Sequence, residues 1–126
     1  MPAQLNHTIV ASRDQRASAT FMAEMFGLPA PTRFGPFLAV QAANDVTLDF
    51  MEVSGPIASQ HYAFLVTEEE FDQVMAQIGE RDLPHWADPG HTEHGINRHD
   101  GGRGVYFADP DGHNLEAITR PYGSGG

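Results

Sequence analysis

The stretch YFADPDGHNLEAITR, residues 106–120, predicts a β-hairpin near the end of the chain. Pro110 and Gly112 make its centre a turn, because proline presets one backbone dihedral and glycine permits a positive φ. The segment His113–Thr119 that follows alternates apolar and polar residues, as a half-buried strand does. Glu116 stands in this strand between two apolar neighbours. We therefore ask whether its carboxylate faces solvent or binds a metal ion.

The composition is that of a globular protein. The chain has 126 residues, of which 40% are hydrophobic and 19% charged, and a chain of this length buries one core rather than two. No apolar run reaches the length of a membrane span, and the first ten residues lack the features of a signal peptide. We expect a single domain over residues 1–126, cytoplasmic, with no membrane partner.

The charge balance argues against nucleic acid as a partner. Seven Arg and no Lys stand against 17 Asp and Glu, so the formal net charge is −10, which repels phosphate backbones and anionic lipid surfaces. The chain also contains no cysteine. Disulfides and thiolate metal sites are thereby excluded, and a transition-metal site would use imidazole and carboxylate donors.

The same order of elements occurs twice along the chain. Strands are predicted at Leu5–Val10, Phe37–Gln41 and Val46–Val53, and again at His61–Val66, Gly104–Ala108 and His113–Thr119. A helix over Asp14–Phe26, capped by Ser12 with Gln15 and ended by Gly27, and a second helix capped by Thr67 with Glu70, follow the opening strands. The chain therefore reads as a repeated β-α-β-β-β module, about residues 5–53 and 60–122.

Four polar residues occupy equivalent positions in the two modules. The openings LNHTIV and SQHYAF align His7 with His61, and the closing strands VTLDFMEV and HNLEAITR align Asp49 with Glu116. The second module is longer largely because of the polar loop at residues 86–102. Since alternate side chains share a strand face, we expect the four residues to line one concave surface, while the opposite faces pack under the helices.

Two imidazoles and two carboxylates on one surface suit a first-row divalent ion. A single strand histidine is more often structural than a ligand, but equivalent histidines with matched carboxylates favour a metal site. We predict His7, His61, Glu116 and Asp49 as ligands. For Asp49 three roles are left open: a metal ligand, a group beside the ligands, or a residue with no part in the site. The remaining histidines His85, His91, His94 and His113 are predicted to be solvated, with the alternative that His91 and His94 on the inserted loop form the rim of the pocket.

The openings NHTIV and QHYAF and the segment GGRGVYFADPDGHNLE, set in repeated modules, resemble the vicinal oxygen chelate superfamily. This group is also called the glyoxalase/bleomycin resistance/dioxygenase group, and the resemblance covers about residues 5–122. It implies an α+β fold in which two tandem βαβββ modules form a cup-shaped, incompletely closed mixed sheet with helices outside. It also implies a homodimer and metal ligands on the first and last strands of the modules, matching the four residues above.

The branches of this superfamily differ in the residues at a few site positions, and these positions can be compared with the matching residues of this chain. In glyoxalase I-like members the position of Asp49 is usually Glu, and a shorter Asp that misses the ion would leave a two-histidine, one-carboxylate triad. Such a triad resembles the extradiol dioxygenases with ferrous iron. Those enzymes also have an acid/base His and a Tyr before the carboxylate, which His99 and Tyr106 loosely match. Fosfomycin-modifying members typically have Thr where this chain has Ile9.

The resemblance implies an enzyme that uses Fe, Ni, Zn, Co or Mn to chelate a small substrate through neighbouring oxygens. The expected chemistry is that of an isomerase, a lyase or an extradiol dioxygenase, with Glu116 or Asp49 moving a proton. The predicted substrate contacts are Arg103, Trp86, Phe34 and Tyr62. The alternative is a metal-free protein that resembles bleomycin resistance proteins and sequesters an antibiotic or another natural product.

Overall fold

The computed structural model describes residues 2–125 as two compact units, which meet in the chain between Ile57 and Ala58. Unit 1 contains β1 (His7–Ser12), α1 (Gln15–Phe26), β2 (Thr32–Phe34), β3 (Phe37–Gln41) and β4 (Thr47–Glu52). Unit 2 contains β5 (His61–Leu65), α2 (Glu68–Glu80), a 3₁₀ turn (His99–Gly101), β6 (Gly104–Ala108) and β7 (Asn114–Ile118). The predicted α+β class is confirmed, and the single domain over residues 1–126 stays a prediction.

The sheet of unit 1 has the strand order β1-β4-β3-β2. Its two outer pairings differ in direction, because β1 runs parallel to β4 whereas β3 is antiparallel to both β4 and β2. Helix α1 lies between the parallel strands in the chain, as a parallel connection requires. Strand β2 was not predicted from the sequence, since its three residues are all exposed and carry no alternating pattern.

The start of α1 corrects one expectation. Asp14, and not Ser12, caps the helix, and its side chain accepts a hydrogen bond from the Ala17 N–H at 3.1 Å. Ser12 instead ends β1 with its side chain buried. The predicted end at Gly27 is confirmed, because this residue adopts the left-handed conformation with φ 64°.

The core of unit 1 lies between α1 and the sheet. Buried apolar side chains come from one face of the helix and from alternate strand positions, and they include Phe21, Met22, Met25, Leu38, Val40 and Phe50. The alternation along β1, with Val10 buried and Ile9 exposed, matches the expected division of the sheet into a packed face and an open face. The open face carries His7 and Asp49.

The sheet of unit 2 has the strand order β5-β7-β6, with β5 parallel to β7. Helix α2 begins with the predicted capping box, in which Thr67 Oγ1 accepts from the Glu70 N–H and the Glu70 carboxylate accepts from the Thr67 N–H, at 3.0 and 2.8 Å. Phe71, Val74 and Ile78 of α2 are buried, as their spacing predicted.

The second strand of the module is reduced to single bridging residues in unit 2. Trp86 exchanges two backbone hydrogen bonds of 2.8 Å with Tyr106 of β6, and Asn97 exchanges bonds of 2.9 and 3.0 Å with Gly104. The loop between α2 and β6 therefore covers the outer edge of β6 without forming a regular strand.

The Asp-Pro-Asp-Gly turn is stabilised by hydrogen bonds to the side chain of its own first residue, Asp109. The carboxylate of Asp109 is buried and accepts hydrogen bonds from the Asp111 and His113 N–H groups at 2.9 and 2.8 Å. Burial raises the pKa of Asp109 above that of a free aspartate.

The expectation that His113 is solvated was wrong. Its side chain is 1% exposed, and its Nδ1 accepts from the Gln60 N–H at 3.0 Å, so it ties β7 to the chain before β5.

Neither α1 nor α2, the two helices within residues 2–125, combines the length and apolar character that a membrane crossing demands. The cytoplasmic location stays a prediction.

Candidate functional site

The two parallel strand pairs have the same register around their carboxylates. In unit 1, Ile9 of β1 is opposite Asp49 of β4, and in unit 2, Ala63 of β5 is opposite Glu116 of β7. A histidine precedes Ile9 by two residues and another precedes Ala63 by two residues, each on the same strand face as the carboxylate. The equivalence proposed from the sequence alignment of the modules therefore corresponds to an equivalent strand register.

In unit 2, His61 and Glu116 are in direct contact. His61 Nε2 lies 3.0 Å from Glu116 Oε1, and the two side chains are 43% and 14% exposed. The contact is diagonal, because His61 is paired with Asn114 in the register. An imidazole nitrogen and a carboxylate oxygen that approach each other on an open surface are the kinds of donor that a divalent ion uses. The pair fits two positions of such a site.

Tyr106 contacts both members of this pair. It is directly opposite Glu116 in the antiparallel β6–β7 ladder, and its ring centroid lies 5.9 Å from that of His61. Burial, followed by a hydrogen bond and the negative charge of Glu116, raises the pKa of Tyr106 to about 12. The phenol therefore keeps its proton at neutral pH.

A cavity of about 90 Å³ in unit 2 brings three predicted catalytic residues together. Its lining includes His99, Tyr106 and Glu116, together with Asn97, Asp100, Arg103, Ile118, Arg120 and Tyr122. Sequence reasoning missed Asp100, Arg120 and Tyr122. The position of Arg120 had a usable signal, since it continues the two-residue period of Glu116 beyond the end of β7.

Arg103 also lines this cavity, but its guanidinium is already engaged. Its Nε lies 2.8 Å from Glu68 Oε1 and its Nη2 lies 2.8 Å from Asp72 Oδ1. The guanidinium carbon also lies 4.4 Å from the ring centroid of Phe71, a cation–π contact. These contacts attach β6 to α2. A substrate contact by Arg103 stays a prediction that would require these bonds to be shared.

The predicted aromatic contacts of unit 2 pack against histidines. Trp86 stacks on His91 with ring centroids 3.9 Å apart, and Tyr62 makes an edge contact with His113 at 5.8 Å. Tyr62 occupies the strand face of β5 opposite to that of His61, because the two are adjacent in the chain. The substrate-binding roles of Trp86 and Tyr62 stay predictions.

In unit 1, an open cavity of about 480 Å³ is lined by the predicted site residues His7, Phe34 and Asp49, with Asn6, Thr32, Arg33, Ala39, Gln41 and Thr47. Asp49 is only 5% exposed, and its Oδ1 has no hydrogen-bond partner among residues 2–125. An oxygen in this state is costly to bury unless a ligand or a proton satisfies it. His7 Nδ1 is 2.8 Å from Asn6 Oδ1. Phe34 is 67% exposed.

Within neither unit, over the described residues, do three or more His, Asp or Glu side chains form a group that could hold a metal ion. Unit 2 supplies the close His61–Glu116 pair, and unit 1 supplies His7 and Asp49 in one cavity. The donor chemistry fits a divalent ion, while the predicted set of ligands stays a prediction.

Residues 4–117 match the sequence model of the Glyoxalase/Bleomycin resistance protein/Dioxygenase superfamily. The chain belongs to this superfamily. Its members bind small molecules, generally use divalent metals and are often dimeric. Membership supports a function of the glyoxalase or dioxygenase type in general, and the homodimer of this chain stays a prediction.

Three relatives place the chain within the superfamily. It is 61% identical to the structure of Oxidase ChaP-H1, with a TM-score of 0.94 over 97% of this chain and 99% of that one. It is 55% identical to Oxidase ChaP-H2, with a TM-score of 0.96 over the whole of both chains. It is also 30% identical to Glutathione transferase FosA of Serratia marcescens over 118 residues, which are 89% of this chain and 77% of that protein.

Proposed function

We propose that this chain is a metal-dependent oxidase of the dioxygenase type, acting on a small substrate with neighbouring oxygens. The observation that carries the proposal is the 3.0 Å contact between His61 Nε2 and Glu116 Oε1 beside the phenol of Tyr106. The relatives named oxidases are 61% and 55% identical, whereas the one named a transferase is 30% identical. Oxidation is therefore favoured over group transfer.

His61 and Glu116 are proposed as metal ligands, and His7, the equivalent of His61 in the alignment of the modules, is proposed as a further ligand, as in a two-histidine, one-carboxylate set. Such a set leaves coordination positions open and is typical of non-haem ferrous oxygenases. When bound, a ferrous ion would supply Lewis-acid chemistry to neighbouring substrate oxygens and electron transfer to O₂. Iron is therefore the metal expected, in preference to Ni, Zn, Co or Mn.

Two residues of unit 2 would control protons beside this pair. Tyr106 holds its proton at neutral pH because its pKa is raised to about 12, so it orients the Glu116 carboxylate as a donor and does not act as a base. His99 lines the same cavity, and histidine is the side chain that most often transfers protons in general acid–base catalysis. We assign to His99 the acid/base role towards a substrate hydroxyl.

Asp49 is proposed as a second proton acceptor and not as a ligand. Its buried Oδ1 lacks a donor among the described residues, which leaves it free to accept a proton or a hydrogen bond from a hydroxyl. The exposed ring of Phe34 in the same cavity would cover an apolar part of a bound molecule.

The test is the metal content of protein purified anaerobically without chelator. Wild type should carry close to one iron per chain. It should consume O₂ when it is given a substrate that chelates the iron through neighbouring oxygens. His7→Ala, His61→Ala and Glu116→Gln should lose most of the metal, because each removes one donor. His94→Ala is the matched control, since this imidazole is exposed on a loop and its ring lies 4.8 Å from that of His85. Equal metal content in all variants would contradict the proposal.

The alternative of a metal-free binding protein is supported by the cavity of about 480 Å³ in unit 1, a volume within the range of small-molecule sites. In this case the wild type would reject divalent ions, and calorimetric titration with metal-free bleomycin would show saturable binding. The two functions are thus separated by metal content and by the ligand that binds.

A further inference from the structure

We infer that Arg120 binds an anionic group of the substrate at the cavity of unit 2. The inference deepens the proposed function and rests on it, because it takes the neighbourhood of Glu116 as the place where the substrate binds. It assigns a recognition role to a residue that lies beyond the predicted site.

Arg120 lines the same cavity as the proposed ligand. Glu116 and Ile118 share a face of β7, Arg120 follows in the bend after the strand, and all three line the cavity of about 90 Å³. A molecule that contacts the Glu116 end of this lining is therefore within the cavity that Arg120 borders.

The guanidinium of Arg120 has no hydrogen-bond or ion-pair partner among residues 2–125. The two carboxylates in the same lining are engaged elsewhere. Glu116 contacts His61, and the Asp100 carboxylate accepts from the Gly123 and Gly125 N–H groups at 3.1 and 3.0 Å. In a chain of formal charge −10, an arginine left without an acid is a ready partner for a ligand oxyanion.

The stem of the exposed Arg120 side chain lies against a residue that has no side chain. A Cβ added at Gly102 would lie 2.6 Å from Arg120 Cγ and 3.3 Å from Arg120 Cβ, so the stem packs on the bare backbone of Gly102. Substitution at Gly102 would displace it. Packing of this kind reduces the conformational freedom that Arg120 would lose on binding.

The chain that follows Arg120 is fixed as well. The Asp100 carboxylate holds the backbone at Gly123 and Gly125, and a Cβ at Gly125 would collide with the Asp100 backbone. Arg120 is thus restrained on both sides, by packing on Gly102 and by the attachment of the next segment to the 3₁₀ turn.

The size of the cavity indicates the class of anion. The volume of about 90 Å³ exceeds the roughly 10–15 Å³ of probe volume that one water molecule needs, so the cavity has room for a carboxylate. A planar carboxylate also matches the two-pronged donor geometry of a guanidinium. We therefore expect a substrate that carries a carboxylate in addition to its neighbouring oxygens.

The test compares catechol with protocatechuate, which differ by one carboxylate. Both are titrated calorimetrically without O₂ into metal-free protein and into protein loaded with redox-inert Zn²⁺. Wild type should bind protocatechuate about tenfold more tightly than catechol, the scale expected of one charge-assisted contact. Arg120→Gln should reduce this ratio to about one. Arg16→Gln, which removes the same charge from the exposed surface of α1, should keep it.

A wild-type ratio near one, a ratio that Arg120→Gln leaves unchanged, or no saturable binding of protocatechuate would each overturn the inference. Failure of the proposed function appears separately. The metal proposal fails if Zn²⁺ does not bind, or if it does not tighten the binding of both probes. The assignment of Arg120 stands in that case, provided that the ratio of the two affinities still depends on Arg120.

Discussion

Tyr106 lies directly across the β6–β7 ladder from Glu116, whereas Ala39 occupies the corresponding position across β3–β4 from Asp49. The two carboxylates thus have equivalent registers but different neighbours. The neighbour of Glu116 is a phenol that stays protonated, and Asp49 has a methyl group in its place. Among residues 2–125, Asp49 Oδ1 has no hydrogen-bond partner.

Tyr106→Phe should lower metal affinity by about tenfold, the usual effect of removing a group that orients a ligand. The retained ring should preserve the contact with His61 and hence the fold. Competition with a fluorescent chelator would measure the affinity. Tyr122→Phe is the control, because this tyrosine lines the cavity but is exposed. Unchanged affinity in Tyr106→Phe would show that the phenol does not position Glu116.

The raised pKa of Tyr106 predicts a loss of stability at alkaline pH. Its pKa is about 12 in the folded protein, against an ordinary value of 10.0, so the folded state favours the protonated form. This contribution is fully present below about pH 10 and is lost as the pH rises towards 12. Urea unfolding between pH 9 and 12 should show the decline, and tyrosinate absorbance should show a late-titrating group.

The same experiment on Tyr106→Phe provides its control. That variant should lose the component that titrates near pH 12, and its stability should depend less on pH over this range. Burial also raises the pKa of Tyr62, so a smaller alkaline effect should persist. Identical pH profiles for the two proteins would contradict the assignment to Tyr106.

His113→Ala should destabilise unit 2 by about 2 kcal/mol, because it leaves a cavity and removes the acceptor of a buried N–H. His94→Ala should change the free energy of unfolding by less than about 0.5 kcal/mol, as exposed substitutions usually do. Chemical denaturation followed by circular dichroism would measure both. Comparable losses in the two variants would show that His113 does not anchor β7.

Gly125→Ala should release the segment that follows Arg120, because the added methyl group would collide with the Asp100 backbone. Amide hydrogen exchange at Gly123 should become faster, as expected when a local opening becomes less costly. Ser124→Ala is the neighbouring control, since Ser124 is exposed. Equal exchange rates in both variants would indicate that Asp100 does not hold this segment.

Local sequence patterns predicted much of the fold. The capping box at Thr67, the end of α1 at Gly27 and the limits of β3 and β6 were correct, because each depends on a few neighbouring residues. The equivalent placement of Asp49 and Glu116 followed from the repeat and from strand parity. Such features are encoded over short distances and can be read without tertiary contacts.

Features that depend on contacts between distant segments were not predicted. His113 is buried because Gln60 comes from another part of the chain, and Arg120 is placed by Gly102 and by the segment attached to Asp100. The three exposed residues of β2 form a strand only because β3 is beside them. The complete set of metal ligands is likewise a matter of long-range placement, and it stays a prediction.

The single-residue bridges at the edge of β6 bear on self-association. A bare edge strand presents unpaired backbone groups to which another chain can add a strand. At Gly104 and Tyr106 those groups are already bonded to Asn97 and Trp86, so the polar loop shields the β6 edge from the addition of another strand. Shortening this loop would therefore expose the chain to aggregation through β6, and the insertion that lengthens the second module also protects it.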